Sequence, residues 1–376
     1  MRVLFVQVTN KKGVKGRFSS LGLGHLSAVL DKAGIDNKII SCCDEFDLRR
    51  EMYEYKNDVL ALSSVTEFWD TAIDLARAGW DCDKRVIVGG HHISGDQRAL
   101  HPFMNVGVIG EAEHIIVNIL NNKELKGTVG GGLIEDLGSL PHPKRNMGDN
   151  HLMTSRGCPY NCSFCSSTKV WRRYRTFPVA WVVDEILEIQ RINPDNDWIY
   201  VWDDLFAADM GRIAELTCAL SHSPQYRQAK FAVHARVETI NVATVRAMKQ
   251  LGVKVVGIGV ESGNKRIMKK LKRGKCTPDD VINAIQLLKS NGMGYYCSFI
   301  LGHPDEKLHE LKDTVRFIKK NDIPFFDVNL LTEYPGNEFY GTGLEHDEAT
   351  VKAYKNLQRL RFVRRVANIY RHPRWN

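Results

Sequence analysis

The chain has 376 residues, of which 43% are hydrophobic and 26% charged, and its formal net charge is +8. This composition is ordinary for a soluble protein with well-formed cores, and the length suits two domains with an appendage. No apolar run approaches the roughly 18–20 residues that span a bilayer, and the run at the N-terminus is too short for a secretory signal. We therefore expect a cytoplasmic protein without a membrane span.

Residues 1–122 alternate short apolar runs with helical patterns. The apolar runs predict buried strands at residues 2–8, 59–64, 85–90 and 106–111. Strands that alternate with helices indicate a doubly wound parallel sheet of the α/β class, in which ligands bind beyond the carboxyl ends of the strands. The residues at these ends are mostly small or polar: Thr9, Asn10, Ser63, Ser64, Gly89, Gly90, His91, His92, Gly110 and Glu111.

Residues 123–150 are punctuated by Gly and Pro and predict a linker. From residue 151 the alternation resumes, with a basic helical C-terminal region expected over 341–376. Six strands are too few for a closed eight-stranded barrel, so we predict a partial (β/α)6 TIM barrel over 151–340 with its site at the strand carboxyl ends. Its predicted strands are residues 151–156, 198–204, 230–236, 253–262, 295–302 and 325–331.

Three cysteines, Cys158, Cys162 and Cys165, form a Cys-x3-Cys-x2-Cys pattern. A structural zinc site takes four protein ligands, and a cubane iron–sulfur cluster has four corners. Three thiolates would bind three irons of a cubane and leave the fourth iron open for a substrate or cofactor. A structural metal site completed by a distant residue such as Cys276 is the alternative.

The segment "RGCPYNCSFC", residues 156–165, resembles the cluster motif of the radical S-adenosylmethionine (SAM) enzymes. This resemblance implies a 4Fe-4S cluster whose open iron chelates the amino and carboxylate groups of SAM. One electron then cleaves the sulfonium and gives a 5′-deoxyadenosyl radical. Phe164 matches the aromatic residue that precedes the third cysteine of the motif and packs beside the adenine.

Later segments resemble those that surround SAM in this family, in the same order: "VWDDLF", "HARVE", "GIGVESG" and "FILGHPDE". The resemblance implies carboxylates for the SAM ammonium, with which they form charge-assisted hydrogen bonds. It also implies an arginine for the SAM carboxylate and contacts to the ribose, methionine and adenine. Asp305 replaces a glycine of the family pattern, and Asn337 in "TEYPGNEFY" replaces a threonine. The implied SAM residues are Phe164, Asp203, Asp204, Arg236, Glu261, Ser262 and Gly302.

The first 120 residues resemble the cobalamin-binding domain of one large radical SAM subclass, through "SSLGLGHLSAVL", "VLALSSVT", "GGHHIS" and "VGVIGEAE". The familiar Asp-x-His-x-x-Gly motif, whose histidine ligates cobalt, is absent. A nucleotide-binding domain is the alternative, although Gly22-Leu23-Gly24 lacks the third glycine of the dinucleotide fingerprint. The implied cobalamin residues are Thr9, Asn10, Leu21, Gly22, Ser63, Ser64, Thr66, Gly89, Gly90, His91, Gly110 and Glu111.

These features predict a cobalamin-dependent radical SAM enzyme, a methyltransferase that acts on an unactivated carbon through a 5′-deoxyadenosyl radical and methylcobalamin. We expect a small-molecule or peptide substrate and an electron donor such as flavodoxin or ferredoxin, and no catalytic side chain is predicted. One alternative is a radical SAM enzyme that catalyses a rearrangement, cyclisation or oxidation. Another is a non-catalytic iron–sulfur or zinc protein that binds nucleic acid through the basic runs at 169–175 and 359–365, but the ordered SAM segments argue against it.

Overall fold

The structure, a computed structural model, describes residues 1–9, 20–146 and 148–371. The predicted cobalamin residue Asn10 lies outside the described residues. The strands are β1 Arg2–Val8, β2 Asp36–Cys42, β3 Val59–Ser63, β4 Arg85–Gly89, β5 Val106–Gly110, β6 Gly127–Gly132, β7 His151–Leu152, β8 Ser155–Arg156, β9 Arg175–Thr176, β10 Trp198–Val201, β11 Lys230–Arg236, β12 Val253–Glu261, β13 Gly294–Leu301 and β14 Phe326–Leu330.

Helices connect most of these strands. They are α1 Leu21–Lys32, α2 Glu45–Tyr55, α3 Trp69–Asp81, α4 His91–Gly95, α5 Ile116–Asn121, α6 Ser167–Val170, α7 Val179–Ile192, α8 Met210–Ser221, α9 Val242–Leu251, α10 Lys265–Lys272, α11 Pro278–Ser290, α12 Leu308–Lys320 and α13 Glu348–Arg371. Among the residues described, no helix is long and apolar enough to cross a membrane.

The chain divides into two compact units. The first contains Met1–His151, Ser166–Asp195 and Tyr334–Gly336, and the second contains Leu152–Cys165, Asn196–Glu333 and the chain from Asn337 onward. Each unit is built around its own six-stranded sheet.

The sheet of the first unit has the order β2-β1-β3-β4-β5-β6, and its neighbouring strands are parallel. Successive residues of a strand face opposite sides, so each strand contributes to two cores. Leu4 and Leu60 pack with α2 and α3 residues on one side, whereas Val3 and Phe5 pack with α1 and α5 residues on the other. The predicted doubly wound sheet is therefore confirmed.

Two strands of this sheet were not predicted. The segment "DNKIISC" of β2 is largely polar, and "GTVGGG" of β6 is rich in glycine, which is rare within strands. Both are edge strands that follow a buried parallel neighbour, β1 or β5. Strand β6 lies within the segment for which we expected a linker.

The sheet of the second unit has the order β14-β13-β12-β11-β10-β7 and is open, as predicted for a partial barrel. Side chains alternate in burial along β13: Tyr295, Cys297 and Phe299 are buried, whereas Tyr296 and Ser298 are half-buried on the opposite face. Phe299 packs edge-on against Phe317 of α12, so the buried face is the helix-covered face. The predicted strand 151–156 is divided into the two short strands β7 and β8.

Helix α13 covers the edge strand β14 of the second unit. Gln358 Nε2 donates to the Val328 carbonyl at 2.9 Å, and the Arg361 guanidinium lies 2.6 Å from the Asp327 carboxylate. Arg364 donates to the Ile323 carbonyl at 2.6 Å. Covering an edge strand removes a surface that would otherwise pair with another chain. At least two arginines of the predicted basic helix therefore have partners within their own unit.

Candidate active site

The three cysteines lie in the loop that follows β8, and all three are half-buried. The end of α10 holds this loop in place. Ser163 N donates to the Leu271 carbonyl at 2.9 Å and Ser163 Oγ to the Lys270 carbonyl at 3.2 Å, while Glu338 N donates to the Ser163 carbonyl at 3.0 Å. The loop is thus fixed on both sides of Ser163 by backbone groups that are distant in sequence.

The donor set fits an iron–sulfur cluster better than a single metal ion. In the part of the chain that the structure describes, no three His, Cys, Asp or Glu side chains converge as ligands of one ion. A zinc site needs such convergence, whereas a cubane takes each thiolate on a different iron. The Cys276 thiol is buried and lies 3.7 Å from the Thr277 carbonyl, and burial raises its pKa to about 11.

Asp203 anchors the strand that leads into the cysteine loop. Its carboxylate accepts from the backbone nitrogens of Thr154 and Ser155 at 2.6 and 3.1 Å, and from both of their hydroxyls. Burial raises the pKa of Asp203 although these hydrogen bonds oppose the rise. The four bonds engage both carboxylate oxygens, so Asp203 positions the backbone. The neighbouring Asp204 is exposed.

Arg236, at the end of β11, joins three groups around the cysteine loop. Its Nη1 donates to Cys162 Sγ at 2.8 Å, its Nη2 donates to Glu238 Oε1 at 2.8 Å, and its guanidinium stacks 3.9 Å above the Tyr160 ring. Burial would lower the pKa of Arg236, but the hydrogen bond to Glu238 and the Cys162 thiol together hold that pKa above its usual value. A fixed positive charge therefore lies against the predicted cluster loop.

A second buried cation, Lys272, was not predicted from the sequence. Its Nζ donates to the Gly259 carbonyl at 2.7 Å and lies 3.4 Å from Glu238 Oε2. Burial would raise the pKa of Glu238, but Lys272 and Arg236 outweigh burial and lower it. Buried charges are retained where they are paired, and Glu238 is the shared partner of these two cations.

Glu261 lies at the carboxyl end of β12, and its backbone is in the left-handed region with φ of 69°. Such a conformation is costly for a residue with a side chain and is concentrated at functional sites. Burial raises the pKa of its carboxyl to about 7, although Lys272 and Arg236 favour the ionised form. No hydrogen bond to this carboxyl is present among the described residues. The geometry suits a carboxylate that receives its partner from a ligand.

A pair of side chains that was not predicted from the sequence lies on the barrel's inner face. His234 of β11 and Tyr296 of β13 form a hydrogen bond across β12, and their rings are perpendicular. Gly257 lies between them, and a Cβ there would overlap the Tyr296 ring. Burial lowers the pKa of His234 although a hydrogen bond to the Val201 carbonyl opposes the change. Burial raises the pKa of Tyr296 to about 12.

Two predicted SAM residues make contacts within the protein in this structure. Ser262 is fully buried, and its hydroxyl contacts Thr314 Oγ1 at 3.1 Å and accepts from Asn264 N at 3.1 Å. Gly302 has φ of 87°, and a Cβ at this position would overlap the His346 ring. Both positions therefore require a small residue for packing.

Phe164 packs in a small apolar cluster with Ile267, Leu271 and other residues of the second unit. Asn337 links this part of the loop to the segment after β14, because its Nδ2 donates to the Phe164 carbonyl at 3.1 Å and to the Thr332 carbonyl at 2.9 Å. An amide supplies two donors where the family's threonine supplies one. The departure from the family pattern at Asn337 thus has a structural role.

In the first unit, the predicted strand-end residues lie along the edge of the sheet that the carboxyl ends of its parallel strands form. Gly90 has φ of 103°, and a Cβ there would overlap the backbone of Ser64, which is itself buried. A Cβ at the neighbouring Gly89, in contrast, would meet no atom within 4 Å. Ser63 is half-buried at the end of β3, and Thr9 N donates to the Cys42 carbonyl at 3.0 Å beyond β1. The open part of this edge is thus at Gly89 and Ser63.

The two consecutive histidines have different surroundings. His91 is exposed and meets Trp171 edge-on, whereas His92 is buried, stacks 4.2 Å from Trp69 and lies 3.2 Å from Thr66 Oγ1. Burial lowers the pKa of His92. The Thr66 hydroxyl therefore already has a partner within the unit.

The remaining predicted residues lie around the same edge. Glu111, just beyond β5 and Gly110, is buried and accepts from Arg175 Nη1 and Ile134 N, each at 2.7 Å. Gly110 N donates to Ser94 Oγ at 3.0 Å. Leu21 and Gly22 form the first turn of α1. The Glu111 carboxylate therefore holds neighbouring segments together.

Residues 152–318 match the family model of the Radical SAM superfamily. These residues therefore form a radical SAM domain, as the cysteine motif predicted. An uncharacterised methyltransferase of Pyrococcus horikoshii is 27% identical over 90% of this chain and 82% of its own length. The anaerobic magnesium-protoporphyrin IX monomethyl ester cyclase of Cereibacter sphaeroides is 22% identical over 84% of this chain, but the match spans only 59% of the cyclase.

The fold is also similar to that of the radical SAM methyltransferase TsrM from Kitasatospora setae. The structure of TsrM with cobalamin and a [4Fe-4S] cluster bound has a TM-score of 0.73 and 16% sequence identity, and the match covers 89% of this chain and 73% of TsrM. At this identity the similarity concerns the fold alone. It confirms the predicted fold class, a parallel α/β sheet followed by a partial barrel.

Proposed function

We propose that this chain is a cobalamin-dependent radical SAM methyltransferase that acts on an unactivated carbon. The observation that carries the proposal is the joint presence of two features in one chain. One is a three-cysteine loop flanked by Arg236 and Glu261. The other is a doubly wound sheet with an open edge at Gly89 and Ser63. The Pyrococcus horikoshii relative and the fold neighbour TsrM, which both have methyltransferase names, support the same reading.

In the barrel unit, Cys158, Cys162 and Cys165 are proposed to hold the cluster. Arg236 would orient the SAM carboxylate, and Asp204 would accept from its ammonium, because the Asp203 oxygens are already engaged by Thr154 and Ser155. Glu261 would bind the ribose or methionine moiety with its buried, unbonded carboxyl. Phe164 would lie beside the adenine, with Ser262 and Gly302 shaping the backbone around it.

In the first unit, the corrin is proposed to lie across the strand ends, because a flat disc needs small residues beneath it. When bound, the cluster with SAM supplies a 5′-deoxyadenosyl radical and cobalamin supplies a methyl group; the protein supplies orientation. His92 would support the neighbouring backbone rather than contact the corrin, since it is buried against Trp69. Leu21, Gly22, Thr66, Gly110 and Glu111 would border the disc.

A non-methylating reaction is the second candidate, because a cyclase is among the relatives. The substrate is proposed to be a small molecule or peptide and the electron donor a flavodoxin or ferredoxin; the cytoplasmic location stays a prediction. A protein that forms 5′-deoxyadenosine yet never retains cobalamin would favour the second candidate over methyl transfer.

The test is reconstitution with hydroxocobalamin, followed by visible spectroscopy and by mass spectrometry with methyl-labelled SAM. We expect bound cobalamin in a base-off form that His91→Ala leaves unaltered. Gly89→Trp should abolish cobalamin retention by filling the open edge. Gly130→Trp is the matched control, because Gly130 also has no neighbour near its Cβ position but lies within the edge strand β6. Equal retention by both variants would contradict the proposed cobalamin site.

A further inference from the structure

A strongly basic surface lies beside the cysteine loop. Residues 265–275, "KRIMKKLKRGK", contain seven Lys or Arg residues and no acidic residue. The apolar face of α10 is buried, and the basic side chains other than Lys272 are exposed on its opposite face and just beyond its end. We call this surface the α10 surface; its exposed members are Lys265, Arg266, Lys269, Lys270, Arg273 and Lys275.

This surface is directly connected to the cysteines. The carbonyls of Lys270 and Leu271 accept hydrogen bonds from Ser163, which follows Cys162 in sequence. Cys162 Sγ itself lies 4.0 Å from the Lys272 carbonyl. A protein bound to the exposed face of α10 would therefore be separated from the cysteine loop by little more than one helix.

Half of the charges on the α10 surface have acidic partners. Arg266 pairs with Glu310, Lys270 with Asp305 at 2.6 Å, and Arg273 with Glu338. Among the residues that the structure describes, no ion pair involves Lys265, Lys269 or Lys275. The charge of Lys265 does help to lower the pKa of the nearby Asp280. The surface thus keeps an excess of positive charge next to the cysteine loop.

Helix stability does not account for this charge. Lysines in the last turn of a helix interact favourably with its dipole, which explains Lys269 and Lys270. Lys265 and Arg266 occupy the first turn, which has no acidic residue, and there the dipole disfavours positive charge. The dipole therefore explains the basic residues at the end of α10 but not those at its start, and Lys265 has no ion pair among the described residues that would account for it.

We infer that the α10 surface is the docking surface for an acidic one-electron donor protein of the flavodoxin or ferredoxin kind. The inference rests on the proposed function, in which each SAM cleavage consumes one electron. The reduced flavin or iron–sulfur centre of the donor loses that electron and the cluster gains it, with no atom transferred. An acidic partner is favoured because complementary charges steer association and orient the two proteins.

The test compares two double variants with the same change of charge. Lys269→Glu/Lys275→Glu alters the α10 surface, and Lys249→Glu/Lys254→Glu alters exposed lysines at the end of α9 and the start of β12. The readout is the initial rate of 5′-deoxyadenosine formation, driven either by a reduced acidic flavodoxin or by dithionite. Each reaction is repeated at low and high salt.

With flavodoxin we expect kcat/KM of the α10 variant to fall at least about tenfold and to lose most of its salt dependence. The control variant should behave like the wild type, and dithionite should drive all three proteins equally. An equal loss of kcat/KM with flavodoxin in both variants, or no loss in either, would contradict the proposed docking surface. Either result would leave the proposed function intact. Absence of 5′-deoxyadenosine even with dithionite would overturn the proposed function, and the docking surface with it.

Discussion

Arg236 Nη1 lies 2.8 Å from Cys162 Sγ, so a residue at the end of β11 contacts the cysteine loop directly. The other end of the same guanidinium is held by Glu238, and its face is covered by Tyr160. These contacts hold the Arg236 guanidinium in place in the absence of a ligand. Preorganised charges of this kind cost no reorganisation when an anionic group binds.

Arg236→Ala should therefore lower the affinity for SAM about ten- to a hundredfold, the range expected for one charge-assisted hydrogen bond. Arg236→Lys should recover only part of the loss, because a lysine cannot bridge two partners with a planar fork. Equilibrium binding of SAM to reconstituted protein checks this, with iron content measured on the same samples. Wild-type affinity in Arg236→Ala would contradict the assignment.

The two adjacent aspartates should respond differently to the same substitution. Asp203→Asn replaces one of the two oxygens that accept from Thr154 and Ser155 by an amide donor and should destabilise the protein by about 1–3 kcal/mol. Asp204→Asn should weaken SAM binding and change stability less than Asp203→Asn does, because Asp204 is exposed. Denaturant unfolding and SAM titration of the two variants separate the effects. If Asp203→Asn weakened SAM binding and Asp204→Asn lowered stability instead, the proposed roles of the two aspartates would be wrong.

Glu261 should make stability depend on pH in the absence of SAM. Its folded pKa of about 7 lies above the ordinary value of 4.5, so the folded state keeps a proton that the unfolded chain releases. Stability contributed by the protonated form is therefore lost as pH rises from about 4.5 to about 7.

Glu261→Gln cannot ionise, so its stability relative to the wild type should increase across this range, by at most about 3 kcal/mol. Urea unfolding at several pH values checks the trend, with Glu215→Gln on the exposed face of α8 as control. A constant difference between Glu261→Gln and the wild type would show that Glu261 titrates normally.

His234 should contribute acid sensitivity of the opposite sign. Burial depresses the pKa of His234 in the folded protein below the ordinary value of 6.5. Below that pH the imidazole therefore binds a proton more readily in the unfolded chain than in the folded protein. Stability is thus lost as pH falls below 6.5, and His234→Gln should reduce this loss. His222→Gln, at an exposed histidine, should not. Identical acid unfolding profiles for both variants would refute the role of His234.

The strands with continuous apolar runs, such as β1 and β3, were predictable because burial on both faces of a parallel sheet demands such runs. The cysteine loop was predictable because its residue spacing is local in the chain. Strand β6 was not, since its glycines have no strand preference and the strand forms by pairing with β5.

The contact between Lys272 and Glu238 and the pair of His234 and Tyr296 could not be predicted from the sequence, for a different reason. Lys272 belongs to a run of basic residues, and only the packing of α10 shows that this one side chain is buried beside Glu238. His234 and Tyr296 meet because the register of three strands aligns both with Gly257. Register depends on the whole sheet and cannot be read from one strand.

We propose that three cysteines alone hold a cluster that cleaves SAM. The most direct measurement is 5′-deoxyadenosine formation from SAM by the anaerobically reconstituted protein with dithionite, in the wild type and in single cysteine variants. We predict product from the wild type, from Cys218→Ala and from Cys276→Ala, and none from Cys158→Ala, Cys162→Ala or Cys165→Ala. Loss of product in Cys276→Ala as in the three loop variants, or no product from the wild type, would contradict the account.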